Sequence, residues 1–492
     1  MRPHPCNLSG AMDLSVSRRH FLRTTGAGFG ALALHSMLSP QNAAGIALMS
    51  PHWAPKAKSC IFLFMYGGPS QLDLFDYKPE LQLRDGQSID NEFRRSTHTK
   101  AVLQASRRSF RQHGQSGLWC SDALPHLSRH MDKMAMIHSL TSDSFAHGSA
   151  LLNMNTGRAI QGHPSLGAWI SYGLGELNEN LPAYVVMLDP RGGPTTGSPN
   201  WSHGYMPASL QGTVLRTQGP PIMNLTPARG TAQSTQRHQI ELTQHFNRFH
   251  LENRDHASWL EARIRSYELA FRLQMTAPEA LDIESESPTL REQYGIGADK
   301  GSHRLCLGPD PFGRQCLVAR RLVERGVRFV QIYSGGGAAG GQNSWDGHHG
   351  IEENLGIHCP EIDRPISALL EDLEQRGLLE ETLVVWGGEF GRQPVSETFN
   401  TGGKSGGRDH NPLGFTYWMA GGGIQPGVRY GSTDELGERA VEHPHHLRDL
   451  HATILHLMGL DHTDYPTLTP GWISASPGSK NTLRSSTAFL PN

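Results

Sequence analysis

Short apolar runs alternate with longer amphipathic stretches along most of this 492-residue chain, and that alternation restricts the folds open to it. Cys60 to Met65 predicts a buried strand, Leu124 to Lys133 a helix and Met134 to His138 a second strand. Pro164 to Leu177 reads as a helix, Tyr184 to Leu188 as a strand, Pro311 to Arg325 as a helix and Val327 to Tyr333 as a strand. Ile362 to Arg376 carries apolar residues at helical spacing and closes at Gly377; Thr382 to Trp386 is a strand and His446 to Met458 a last helix ending at Gly459. Strands separated by helices call for a mostly parallel sheet covered on both faces.

Two stretches interrupt the pattern. Residues 190 to 233 are rich in Gly, Pro, Ser and Thr and predict an irregular surface insertion; Ala232 to Met275 is polar and predicts one or two helices outside the sheet. Together they form an insertion at about 190–300 in a domain spanning 48–475, followed by a tail at 476–492.

The first segment stands apart from the fold. Ser17-Arg18-Arg19-His20-Phe21-Leu22 precedes a Gly/Ala-rich apolar run from Gly26 to Leu38, with small residues at Ala43, Ala44 and Ala47. It resembles a twin-arginine export signal over residues 1–47, which implies a periplasmic or other extracytoplasmic location and a folded passenger. The run is too short to span a bilayer, and no later segment is apolar for about 18 residues. Lys and Arg number 44 against 46 Asp and Glu, so no polyanion partner such as nucleic acid is indicated. Of the six Cys, Cys6 lies in the export segment, and the five that remain (Cys60, Cys120, Cys306, Cys316 and Cys359) are odd in number without a CxxC pair, which suggests neither a disulfide framework nor a zinc knuckle. The 27 His are the unusual count, because imidazole is a common ligand of transition metals.

In a parallel sheet the ligand site lies beyond the C-terminal strand ends, and polar residues recur there. The first strand is followed by Gly67-Gly68-Pro69-Ser70-Gln71-Leu72-Asp73 and Asp76, and the second by Asp143-Ser144-Phe145-Ala146-His147-Gly148-Ser149. Later come Asp346-Gly347-His348-His349, then Glu389-Phe390-Gly391-Arg392 and Asp409-His410-Asn411. Carboxylates and imidazoles drawn from several strand ends are what a divalent-metal site requires.

AHGSALLNMNTGR, from Ala146 to Arg158, resembles the sulfatase signature, and LLEETLVVWGGEFGR, from Leu378 to Arg392, is similar to the metal-motif strand of alkaline-phosphatase-like enzymes. VEHPHHLRDLHATILHLMG, from Val441 to Gly459, resembles the C-terminal sulfatase helix. GGPSQLDLFD, WDGH, DLEQRGLLEETLVVWGGEFGR and GRDHNPLGF together resemble the exported sulfatase-like family called domain of unknown function 1501, over nearly all of residues 59 to 462. The resemblance implies an alkaline-phosphatase-like three-layer α/β/α sandwich with a mostly parallel central sheet and helical and loop insertions. It further implies a metal-dependent hydrolase acting on a phosphate or sulfate ester of a small molecule or glycan.

Carried over residue by residue, Asp73, Asp346, His348, Glu389 and His410 would hold one or two divalent ions (Zn, Mn, Ca or Mg). His147 and Ser149 are the candidates for catalysis, and Arg158 and Arg392 for binding the anion. Asp76, His349, Asp409 and His446 stand in reserve or behind the ligands. The chain departs from the pattern in three places. Tyr66-Gly67 replaces the Asp that ends the first strand, Phe390 replaces a metal-binding neighbour of Glu389, and His147 occupies the position of the Cys or Ser nucleophile. With no Cys-x-Pro-x-Arg sequence, the activity would not depend on formylglycine. The alternative is a catalytically weakened relative that binds an anionic glycan or acts as a scaffold for other exported proteins.

Overall fold

The computed structural model describes residues 51–90, 100–216, 233–252, 264, 267–269, 271–273, 278–337, 342–396 and 406–463. The expected export segment and C-terminal tail lie outside them. Every residue of β1 (Ser59–Met65) is buried, which places this strand in the middle of a sheet with both faces covered. Its alternate side chains enter two different cores.

The central sheet contains β1, β2 (Met134–Thr141), β3 (Tyr184–Met187), β4 (Thr213–Leu215), β5 (Phe329–Ser334) and β6 (Thr382–Gly387). A two-stranded ribbon, β7 (Gly391–Ser396) with β8 (Arg408–Asn411), follows β6, and β9 (Phe415–Ala420), β10 (Val428–Tyr430) and β11 (His445–His446) complete the sheet. The strand order is β10-β2-β9-β6-β1-β5-β3-β4, with β11 also pairing with β2. β1 runs parallel to both neighbours, with Cys60 opposite Leu383 and Phe329. Within the central sheet β9 runs antiparallel to its neighbours β6 and β2, and the separate β7–β8 ribbon is antiparallel as well.

The helices include α1 (Gln71–Leu74), α2 (His147–Thr156), α3 (Leu166–Leu174), α4 (Gln233–Glu252), α5 (Asp310–Glu324), α6 (Ile351–Gln375) and α7 (Leu447–Leu457), besides short ones at Pro79–Leu83 and Pro288–Gln293. On one face, Ile61, Leu63 and Met65 pack with Leu317 and Leu322 of α5 and with Ile362, Ile366 and Leu369 of α6. On the other, Phe62 and Phe64 meet Phe329, Tyr333 and Tyr417. Asn155 of α2 bonds Gln331 of β5 there, and Gly167 of α3 lies so close to the Tyr184 ring that a Cβ would approach it to 2.6 Å. The molecule is thus a three-layer α/β/α structure around a mostly parallel sheet.

Three local expectations change. The segment after Leu124 is a 3-10 helix, Leu127–Lys133, because the Asp363 carboxylate takes the backbone N–H groups of His126 and Leu127 and fixes a tighter start. The insertion from 190 to 233 is not wholly irregular: Thr213–Leu215 adds a parallel edge strand to β3. The helix expected from Ile362 begins at Ile351, with Pro360 and Pro365 inside it. Burial of Ile351, Leu355, Ile357 and Cys359 outweighs the local helix-breaking preference of proline.

Asp73, on α1, joins the end of β1 to the ribbon. Its carboxylate accepts from Arg408 Nε at 2.8 Å and Ser70 Oγ at 2.5 Å, and both Asp73 and Arg408 are fully buried. Burial alone would raise the Asp73 pKa, but the Arg408 charge and these hydrogen bonds hold it below the usual carboxylate range. Asp73→Ala leaves the guanidinium buried without its counter-charge, so unfolding free energy should fall by roughly 3–5 kcal/mol, read as a lowered urea midpoint.

Two histidines make the fold acid-sensitive. His138 of β2 bonds Thr416 Oγ1, and His451 of α7 donates to the Met154 carbonyl at 2.6 Å. Burial holds both pKa values down to about 4. Between that value and the ordinary 6.5, the unfolded chain binds more protons than the folded one, so stability falls as pH drops through the window. The loss amounts to about 3 kcal/mol for each imidazole. Urea midpoints should fall steeply between pH 7 and pH 4.5, and His451→Gln, which keeps a donor for Met154, should flatten part of that slope.

Candidate metal centre

The C-terminal ends of four parallel strands meet at one place. β1 ends in Tyr66-Gly67-Gly68, β2 leads through Phe145 to α2, β5 leads to the loop carrying Asp346 and His348, and β6 leads through Glu389 to the ribbon carrying Arg392 and His410. Gly67 makes the approach possible: its φ is +116°, and a Cβ there would lie 2.5 Å from the Asp346 nitrogen.

His147, Asp346, His348 and His410 each direct one ligand-type atom into a cluster whose members lie within 4.8 Å of one another. His348 Nε2 and His410 Nε2 are 2.9 Å apart, and each is 3.1 Å from Asp346 Oδ1. His147 Nε2 is 3.1 Å from Asp346 Oδ2. The opposite edges of the rings face acceptors. His147 Nδ1 donates to Glu389 Oε1 at 2.7 Å and His410 Nδ1 to the Phe145 carbonyl at 2.6 Å, while His348 Nδ1 faces Asp409 Oδ1 at 4.0 Å. A carbonyl can only accept, so the His410 proton sits on Nδ1 and its Nε2 presents a lone pair to the carboxylate. A lone pair that faces a buried carboxylate oxygen suits a cation between them, and acceptors behind imidazoles are the usual support of a metal site.

Charge and burial set the protonation pattern. Burial would raise the Asp346 carboxyl, but Arg392 and the three imidazoles hold it far below the usual range. Burial would lower His147, yet its bonds to Asp346 and Glu389 push it up to about 9. Burial drives His410 well below 6.5, and the charges of Arg392 and His147 add to that against the pull of Asp346. Phe390 stacks on His410 with ring centroids 4.2 Å apart and packs against His147 at 5.0 Å.

The other residues singled out from sequence lie elsewhere. Asp73 is committed to Arg408. Glu389 turns its carboxylate to His147 Nδ1 and the Gly67 N–H, so it stands behind an imidazole instead of beside the other donors. Arg392 is fully buried and donates to Gly67 O, to Gly68 O at 2.8 Å, to Arg408 O at 2.9 Å and to Asp346 Oδ1 at 2.7 Å, which leaves it no access to an anion from solvent. Arg158 follows the C-terminus of α2, about 15 Å along the helix from His147. Ser149 Oγ bonds Ser144 Oγ at 2.5 Å and Ala146 O at 3.2 Å. Asp76 pairs with Lys78 and Thr433, His349 is exposed, Asp409 accepts the N–H of His410, and His446 caps α7 with Asp449.

Sequence reasoning missed the supports: the Gly67 N–H, the Phe145 carbonyl, and Tyr66, whose ring meets His147 edge-on at 5.9 Å and whose hydroxyl bonds Thr195. The paired glycines at 67 and 68 were the one visible signal of close backbone approach.

No curated protein sequence matches the chain. Among solved structures, Ps i-CgsB is 9% identical and covers 88% of this chain and 77% of its own, with a TM-score of 0.35. A variant of TAB5 alkaline phosphatase with Mg bound is 10% identical, covering 83% of this chain and 100% of its own, with a TM-score of 0.32. The PsFucS1 sulfatase from Pseudoalteromonas sp. is 11% identical, covering 90% and 72%, with a TM-score of 0.31. The family model described as protein of unknown function (DUF1501) matches residues 57–471, and the chain belongs to that family.

Proposed function

We propose that this chain is an exported, metal-dependent hydrolase of phosphate or sulfate esters that works without formylglycine. The observation that carries the reading is the convergence of three imidazole Nε2 atoms on the Asp346 carboxylate at the C-terminal edge of the sheet. The residues that would hold the ion are His147, Asp346, His348 and His410. A bound divalent ion supplies Lewis-acid polarisation of an ester oxygen and a more acidic attacking water.

The chain's own residues prepare the site. Glu389 fixes the His147 ring, the Phe145 carbonyl fixes His410, and Arg392 fixes Asp346. Phe390 covers two of the imidazoles with an apolar face and excludes water from that side. Water is the favoured nucleophile, because His147 is held between Glu389 and Asp346 and the Ser149 hydroxyl is engaged by Ser144. The five cysteines in the described residues are all buried and lie outside the His147 motif, which supports a mechanism without formylglycine.

Purified mature protein should contain stoichiometric divalent metal and hydrolyse an aryl phosphate or aryl sulfate, and chelation should abolish turnover. Asp346→Ala combined with His410→Ala should remove both metal and activity. Metal-loaded protein inert toward both ester classes would refute the hydrolase reading and favour the anionic-glycan or scaffold alternative. The export part rests on Arg18 and Arg19: changing both to Lys should leave unprocessed precursor in the cytoplasm, as seen by fractionation and immunoblot, and unchanged export would overturn it.

A further inference from the structure

We infer that the pocket takes one borderline first-row transition-metal ion of the Zn²⁺ or Co²⁺ type in preference to Mg²⁺ or Ca²⁺, with His147 as a ligand and Glu389 as the residue that positions it. The inference rests on the metal-dependent reading above and narrows it. Mg²⁺ and Ca²⁺ are hard ions that take six or more oxygen donors from carboxylates, carbonyls and water. Here the donor set is three imidazole nitrogens and a single carboxylate, a combination matched to borderline metals.

The nearby carboxylates that would harden the site are turned away from it. Glu389 Oε1 lies 2.7 Å from His147 Nδ1, and the Gly67 N–H reaches Oε1 at 3.0 Å and Oε2 at 3.1 Å. Asp73 is held by Arg408, and Asp409 Oδ1 takes the His410 N–H at 2.8 Å. Among the described residues this is the one cluster of its kind. The cysteines that would favour a softer ion are buried elsewhere. The consequence for His147 is specific: at the position where the sulfatase signature carries its nucleophile, this chain presents an imidazole whose Nδ1 is tied to a carboxylate and whose Nε2 faces the other donors. That carboxylate–imidazole arrangement orients a ligand.

The test is a metal titration that does not depend on turnover. Chelator-stripped mature protein is titrated separately with Zn²⁺, Co²⁺, Mg²⁺ and Ca²⁺ by calorimetry, and the Co²⁺ complex is followed by its visible absorption. One equivalent of Zn²⁺ or Co²⁺ should bind, and millimolar Mg²⁺ or Ca²⁺ should neither bind nor displace Co²⁺. His348→Ala, at a partly exposed position, should abolish the one-equivalent site with an unchanged far-UV spectrum. Glu389→Gln should keep the stoichiometry and weaken affinity by about 10- to 100-fold. Stoichiometric loading by Mg²⁺ or Ca²⁺ with none by Zn²⁺ or Co²⁺, or full-affinity binding in His348→Ala or Glu389→Gln, would overturn the inference. Selective loading without ester turnover would leave it standing while removing the hydrolase reading; turnover supported only by Ca²⁺ or Mg²⁺ would do the reverse.

Discussion

Arg392 is a wholly buried cation on which the site's geometry depends. Its guanidinium draws together the carbonyls of Gly67 and Gly68 at the end of β1, the carbonyl of Arg408 in the ribbon, and the carboxylate of Asp346 in the loop after β5. Removing a guanidinium from water is tolerable only where its donors are met and its charge is balanced, and here both conditions are satisfied by segments far apart in sequence. The same contacts bring three strand ends within reach of one another. Asp346 is therefore fixed twice, by Arg392 on one side and by the main chain on the other, where Trp345 N bonds Tyr66 O at 2.9 Å. The Trp345 ring in turn lies against His358 of α6, with centroids 5.2 Å apart.

The imidazoles are arranged around that fixed carboxylate, and each is supported differently. His147 enters on the first turn of α2 and is steadied by Glu389 from the end of β6; His410 comes from the ribbon and is steadied by a backbone carbonyl of the loop before α2. Loops and strands thus orient one another across the site. Phe390, which in sequence reads as the loss of a ligand beside Glu389, contributes an apolar wall stacked on His410. A low-dielectric wall strengthens the electrostatic interactions of the donors it covers.

The strands flanking the site were legible because each is a short apolar run bounded by glycine or polar residues, as in Cys60 to Met65 and Thr382 to Trp386. Asp346, His348, His410 and His147 stood out for the same reason, since a polar residue just past such a run faces the strand-end crevice. Residue type and position could not reveal the partner. Asp73 and Asp346 look alike in sequence, but one meets Arg408, 335 positions away, and the other meets Arg392 and three imidazoles. Arg392 resembles an anion-binding residue until its donors are traced to backbone carbonyls. Glu389 reads as a ligand until its carboxylate is seen to receive the Gly67 N–H and the His147 proton. Thr213–Leu215 was hidden because three residues at a sheet edge are too few to show a period.

The charge balance of the pocket connects its structure to the class of ligand it suits. Asp346 and Glu389 are both buried beside the imidazoles, and Arg392 is the buried guanidinium paired with Asp346. Asp73 and Arg408 balance each other separately. With His147 held protonated by Asp346 and Glu389, the two carboxylates are balanced by one guanidinium and one imidazolium. A dication taken up in place of the His147 proton would leave a net positive centre beside solvent on the His348 side, where the ring is 20% exposed. A positive centre at the mouth of a low-dielectric pocket attracts anions and stabilises negative charge as it develops. Under the proposed metal-dependent reading, such a centre would hold an anionic ester without an arginine in contact with it, in keeping with Arg392 being spent on the scaffold and Arg158 lying a helix length from His147.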